Sequence, residues 1–414
     1  MHSMPVLRLF LLVALSLGNS ALAGPFAIQL DPDGVARKLV PIVAELKVPA
    51  QVSEDEANAY AANTYKLTPG DGLFQTELVK DAGGKITAVR LHWVEGSMAA
   101  DKKLVYRVVP DDRRFKRSSF ALVDADTHRD LQYGNRNVWR HFSIKYDAKD
   151  HVNTFKHFHH VNTFDGKGYI TQATGGKQFP HHRGLFMGFA KTQAGGKSYD
   201  TWHGTAGVSV RHQSFDKSRD MAGTVAARSA SVAHWCTGEG KPIVVEEREV
   251  TTWLAADGAL IMDFDFVLKA GEGAGDVILG GDPQHAGFQF RAAGEVGDSK
   301  AKYVYPKSAT GGKNDVWEKC QWVAGQFKIG DKPYVVAHLD HPGNPDSDKS
   351  VYSTRNYGRF GPFAQHTLKT GQPLTFHYRI LILDGASHTD VSADYFESLH
   401  QGFVKPVKVS IGPG

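Results

Sequence analysis

Apolar and polar side chains alternate along this chain in short runs, and turn residues separate the runs. Residues 249–254 and 260–268 alternate with a period of two and flank Ala256-Asp257-Gly258, so they predict a β-hairpin. Residues 375–383 form another such run, ended by Asp384-Gly385, and residues 140–146 alternate as well. Nearer the N-terminus, residues 39–46 and 86–94 read as strands, and a turn at 81–85 precedes the second of them. Helical signals are few. Ser53 followed by Glu56 predicts a short capped helix over 53–62, and a second helix is expected over 392–402. Strands that follow one another without intervening helices predict an all-β protein. The expected architecture is a large antiparallel β-sandwich, with a supersandwich-like form as one version of it, together with a small N-terminal β domain. The polar stretch 110–119, which holds Arg113, Arg114, Lys116 and Arg117, predicts the linker. That gives a small domain at 24–115 and the sandwich at 120–405.

Composition adds compartment and partner class to this picture. Arg8 precedes the apolar stretch 9–17, which is too short to span a bilayer, and Ala21-Leu22-Ala23 supplies a small-x-small cleavage pattern. Residues 1–23 therefore read as a signal peptide, and the mature protein is expected to be periplasmic or secreted with no membrane span. Of the 414 residues 22% are charged, the net charge is only +4, and no Lys/Arg-rich block stands out, so nucleic acid is not an expected partner. The only cysteines are Cys236 and Cys320, and an exported compartment would let them pair; the spacing leaves this open.

The 20 histidines are the unusual feature, because several lie close together. In Lys156-His157-Phe158-His159-His160, His157 and His159 share a strand face, a spacing that suits two ligands on one metal or, more plainly, hydrogen-bonded histidines lining a cleft. Pro180 and Gly184 bracket His181-His182-Arg183, a corner that would project an imidazole and a guanidinium. Asp200-Thr201-Trp202-His203 adds an aromatic surface of the kind that holds a sugar ring, unless Trp202 is a core residue. His212 lies on an expected strand. From 284 to 291 the chain alternates cleanly: His285, Gly287, Gln289 and Arg291 fall on one face, and Ala286, Phe288 and Phe290 on the other. Tyr357 lies between Arg355 and Arg359 and could act as an acid or base. Together these residues define one expected cleft. His182, His203, His285 and Tyr357 would be catalytic, and Arg183, Trp202, His212, Gln284, Arg291 and Arg355 would bind substrate. A metal, if one is used, would take His157, His159, His182 or His285.

The motif order 156–171, 181–184, 200–203, 284–287 and 355–360 resembles the methane oxygenase PmoA-like family (domain of unknown function 6807) over about residues 120–405. The resemblance implies an exported bacterial protein linked to carbohydrate use. Three readings follow. The first is a carbohydrate-active enzyme of lyase, epimerase or hydrolase type, working by histidine acid/base chemistry and needing no cofactor. The second is a metal-dependent oxygenase, as the family label suggests, holding a divalent metal. The third is a non-catalytic protein that binds a small molecule or oligosaccharide. Histidine with arginine or tyrosine suits elimination or epimerisation better than hydrolysis, which ordinarily wants two opposed carboxylates.

Overall fold

The hairpin expected around Gly258 is the spine of one of two large sheets. The computed structural model describes residues 26–48, 53–55, 58, 65–69, 74–110, 118–176, 178–297, 300–345, 347 and 349–413. The expected signal peptide, residues 111–117 of the expected linker, and residues 56–57 and 59–62 of the expected first helix lie outside them. The chain divides into two compact units. One is residues 1–117 with 405–414, and the other is Ser118–Val404.

In the smaller unit, one antiparallel sheet joins Tyr65–Thr68, Leu104–Pro110, Phe26–Asp31 and Lys408–Pro413, so the last strand of the chain returns to pair with the first described one. A three-stranded sheet of Arg37–Lys47, Ile86–Met98 and Gln75–Lys80 completes it. Ile28, Leu30, Ile42, Leu91 and Trp93 lie in its own buried core.

The larger unit is built from the strands that position the site. These are β1 (Arg136–Phe142), β2 (His159–Val161), β3 (Leu185–Phe189), β4 (Ser209–Phe215), β5 (Ala226–Cys236), β6 (Pro242–Leu254), β7 (Leu260–Ala270), β8 (Ala286–Arg291), β9 (Arg359–Pro362) and β10 (Leu374–Asp384). A ten-stranded sheet carries β9-β8-β3-β2-β1 side by side, and a nine-stranded sheet carries β4-β5-β6-β7-β10. The pairings that join these ten strands within each sheet are antiparallel. The expected hairpin is β6–β7, in register from Val244↔Ala270 to Leu254↔Leu260, with Gly258 at a positive φ in the turn. The fold is thus all-β, with antiparallel sheets, as the alternation predicted. The C-terminal helix runs Ala393–Val404 and is capped by the Ser392 hydroxyl, which accepts from the Tyr395 N–H.

One core lies between the two sheets. Leu185, Met187 and Phe189 of β3 and Phe288 and Phe290 of β8 enter it from the first sheet, and Phe264, Phe266 and Ile380 from the second. The alternate residues of the ten-stranded sheet point to its other face, where Phe158, Phe186 and Trp202 form a separate buried cluster.

One expectation changes here. The alternating run 140–146 ends as a strand at Phe142, because the chain turns into two short helical segments from Ala148, the first capped by Asp147. Cys236 and Cys320 are separate free thiols, both buried, and their S–H groups donate to the His234 and Trp322 carbonyls. Among the described residues no helix is long and apolar enough to cross a membrane.

Candidate functional site

Strand alternation deals the histidine-rich segment 156–160 onto two faces. Lys156, Phe158 and His160 go to the outer face of the ten-stranded sheet, where Lys156 meets Phe186 and Trp202, and Phe158 stacks on Phe142. His157 and His159 go inward, where His157 approaches Glu246 of β6 and His159 meets Phe264 of β7. Two histidine groups result, one on each face.

On the outer face, the corner 179–184 is held by its backbone. The His182 N–H donates to the Phe179 carbonyl, the Gly184 N–H to Gln172, and the Arg291 N–H to Gly184. Gly184 is at φ +46°, and a Cβ there would sit 2.0 Å from the His159 carbonyl oxygen, so only glycine fits. His182 is buried, and among the described residues neither of its ring nitrogens has a hydrogen-bond partner. Burial, then the charges of Arg359, His181, Lys156 and Arg291, push its pKa far below the usual histidine value. His181 is driven down to about 3, by burial first and then by Lys156.

Two aspartates bring the other histidines to this corner by one local device used twice. Asp200 accepts from the N–H groups of Trp202 and His203 and, through its second oxygen, from the His203 ring Nδ1 at 2.8 Å. Asp282 accepts from the Gln284 N–H, and both its oxygens lie 2.9 Å from His285 Nδ1. Each carboxylate closes its own turn and fixes an imidazole three residues on. Burial pushes the Asp200 carboxyl up, but the hydrogen bonds from His203 outweigh it and hold it below its ordinary value; Asp282 is held down likewise by His285. With Nδ1 occupied, Nε2 is left to meet a ligand. The rings of His203 and His285 are 5.4 Å apart, and their side chains are 34% and 33% exposed, so this part of the site is open to solvent. His181 links them to the corner, 4.5 Å from His203 and 4.3 Å from His182.

The floor is cationic and aromatic. Arg291 of β8 stands directly opposite Arg359 of β9, and both are buried. Arg359 donates to Gln289 and Ser353, and Arg291 donates to the Tyr357 carbonyl with its guanidinium over the Tyr357 ring. Tyr357 also lies alongside Phe179 and His182. At the rim, Gln284 and Arg355 both donate to the Asn314 carbonyl.

The structure therefore brings together His182, His203, His285, Tyr357, Arg291, Gln284 and Arg355. It does not bring in His212, whose ring lies 5.8 Å from His141 and 6.4 Å from His157 in the inward group. It also splits the four expected metal ligands, with His157 and His159 inward and His182 and His285 outward. Trp202 is fully buried against Phe158 and Phe186, so it is a core residue that presents only its surroundings, not a sugar platform. Arg183 donates to the carbonyls of Pro180 and Val152 beneath the corner and lies over Phe155, which makes it an anchor for the corner. Sequence reasoning passed over Lys156, whose buried amino group donates to the Trp202 and His181 carbonyls and so ties the 200–204 turn to the corner. It also passed over the pairing of Asp200 and Asp282 with the site histidines. The repeated spacing, Asp200-x-x-His203 and Asp282-x-x-His285, is the signal that could have found it.

A search of curated proteins finds no match. Among solved structures, the chain is similar to a glycosyl hydrolase family 38 protein from Enterococcus faecalis, with a TM-score of 0.43 and 9% identity over 94% of this chain and 47% of that one. It is similar to an alpha-mannosidase from the same organism, with a TM-score of 0.42 and 10% identity over 94% of this chain and 46% of that one. A candidate aldose 1-epimerase from Klebsiella pneumoniae gives a TM-score of 0.37 and 12% identity over 69% and 89%. The chain spans about half the length of the first two. Residues 128–397, well over half of the chain and the strands that build both faces of the ten-stranded sheet, match the family of unknown function DUF6807, and the chain belongs to that family.

Proposed function

We propose that this is an exported carbohydrate-active lyase, in which His203 and His285 remove and return protons at adjacent atoms of one substrate face. The observation that carries the reading is the pair of Asp–His units with rings 5.4 Å apart. That separation leaves no room for a sugar ring between them, so both imidazoles meet a ligand from the same side. Epimerisation by two bases wants them on opposite sides. Retaining or inverting hydrolysis wants two free carboxylates, and Asp200 and Asp282 are both engaged by histidine. Elimination on one face fits. One neutral imidazole takes a proton from the carbon next to a carboxyl or keto group. The electron pair left behind forms the C=C bond as the C–O bond at the next carbon breaks, and the other histidine, protonated, gives its proton to the departing oxygen.

The enolate-like anion formed on the way needs positive groups. Arg291 and Arg359, opposite one another on neighbouring strands and both buried, put positive charge beside the site, which supports a substrate that bears an anionic group. Tyr357, packed on Arg291 and His182, is within the same group. The substrate class is accordingly a carbohydrate bearing a carboxylate or ketone. Export, and affinity with PmoA-like members of the family, belong to the same proposal and rest on the apolar stretch 9–17 and on the motif order.

The test is incubation with a panel of uronate-containing and keto-sugar oligosaccharides, followed by mass spectrometry and ultraviolet absorbance. Products without added water that absorb as a conjugated C=C bond are expected, and they should vanish in His203→Ala and His285→Ala. Products carrying one added water would replace the lyase reading with hydrolysis. Binding without turnover would make the protein a glycan receptor, and dioxygen consumption would favour the oxygenase reading.

A further inference from the structure

The inward histidine group draws its rings from both large sheets. His141 comes from β1 in the ten-stranded sheet, His157 from the segment just before β2, and His212 from β4 in the nine-stranded sheet. One ring nitrogen of each lies within 4.8 Å of the others. His141 Nε2 and His157 Nδ1 are 3.0 Å apart. Two imidazole nitrogens on one tetrahedral ion, each bound at about 2.0–2.1 Å, are separated by about 3.3 Å. The far nitrogen of His157, Nε2, is 3.4 Å from Glu246 Oε1. Glu246 is in turn fixed by Arg248 at 2.7 Å and by the Trp235 indole N–H at 2.8 Å.

A plain hydrogen-bond chain accounts for part of this. His141 and His157 can share one proton, and His157 can donate its other N–H toward Glu246. That leaves Nδ1 of His212, which is buried and has no hydrogen-bond partner among the described residues. It also gives no reason for the register shift between His212 and Ser214, an irregularity of the kind that re-aims a side chain. His159 stacks on His141 at 4.1 Å and has its Nδ1 3.4 Å from Arg248 Nη1, so it orients the group from outside.

We propose that His141, His157 and His212 hold one divalent late first-row transition-metal ion, zinc or copper, with Glu246 orienting His157 as a carboxylate–histidine–metal relay. Three neutral imidazoles suit those ions, and the relay is the usual way a ligating histidine is fixed in tautomer and direction. His212 is the least buried of the three. The site is separate from the proton chemistry proposed for the outer face and stands or falls without it.

Protein purified without an affinity tag, from metal-replete cells, should carry about one equivalent of zinc or copper per chain by elemental analysis. Removal with a chelator should lower Tm, and adding back Zn²⁺ or Cu²⁺ should restore it. His212→Ala should lose the ion while its circular dichroism stays native, because β4 is the end strand of its sheet. Glu246→Gln should weaken binding by about 10–100-fold. His285→Ala should keep the ion, which places it at the inward group. The proposal is overturned if folded protein carries only traces of metal and neither ion raises the Tm of chelator-treated protein. It is equally overturned if the ion survives in His212→Ala, since it then sits elsewhere.

Discussion

His203 and His285 are each held at Nδ1 by one aspartate, and that makes the aspartates the sharpest place to intervene. An amide in place of Asp200 or Asp282 keeps the size and can still close the turn through its oxygen. It does not hold the protonated imidazole as a carboxylate does. Replacing a carboxylate behind a catalytic histidine has cost about 10⁴-fold in kcat in a hydrolase triad, and general acid–base groups are commonly worth 10²–10⁴-fold. Asp200→Asn and Asp282→Asn are each expected to lower kcat by roughly 10²–10⁴-fold while Tm moves by little, since both sites are partly solvated. Steady-state kinetics beside a thermal melt checks this, and a collapse of Tm with activity would show that the turns are structural first. Arg359 answers a different question. If an anionic group lies beside Arg291 and Arg359, Arg359→Gln should raise KM for a uronate substrate far more than for a neutral sugar, which a comparison of the two substrates would read directly.

At the scale of the element, the outer face exists because alternation is strict on β2, β3 and β8. Every second residue goes to the interlayer core, and the others are free to build a site. This was legible in the run 284–291, where Gln289 and Arg291 part from Phe288 and Phe290 as the alternation requires. It was legible too that His157 and His159 share a face. The layer that face enters could not be read, because the partners Glu246 and Arg248 arrive from β6 of the opposite sheet, about ninety residues on, and no local pattern records a cross-sheet contact. For the same reason His212 read as a cleft residue. The packing of the 200–204 turn on β3 gives a test at this level. Gly188 sits against it, and an added Cβ would lie 3.1 Å from the Thr201 carbonyl oxygen and 3.3 Å from Trp202 Cα. Gly188→Ala should cost about 1–3 kcal/mol of stability as the turn is displaced, with a larger loss of activity than the fold alone explains, because His203 rides on that turn. Gly184→Ala meets backbone at 2.0 Å at a positive φ and should cost more than Gly188→Ala, on the order of 3–5 kcal/mol.

For the molecule as a whole, the buried histidines make acid the natural way to unfold it. Burial lowers the folded-state pKa of His338 to about 3, and of His160 to the same region. Each is neutral in the fold and charged in the unfolded chain below about pH 6.5, so the unfolded state binds the extra proton and stability falls as pH drops from 6.5 toward 3. Asp340, two residues from His338, works the other way. Burial raises its pKa to about 7 in spite of the hydrogen bond from Asn344. It is protonated in the fold and ionised in the unfolded chain above about pH 3.9, so the stability it contributes is present at low pH and is lost as pH rises through 7. Between about pH 4 and 6.5 the two neighbours therefore cancel, one proton against one proton. Asp340→Asn removes one side of that balance. Urea titrations across this range should show the variant losing stability toward acid more steeply than the parent, by up to about 1.4 kcal/mol per pH unit. The gain of the variant over the parent should accumulate up to about pH 7 and hold constant above it, where the parent buries an ionised carboxylate. An unchanged slope would mean that Asp340 is ionised in the folded protein across this range, and that Asn344 and its backbone neighbours outweigh the cost of burying the charge.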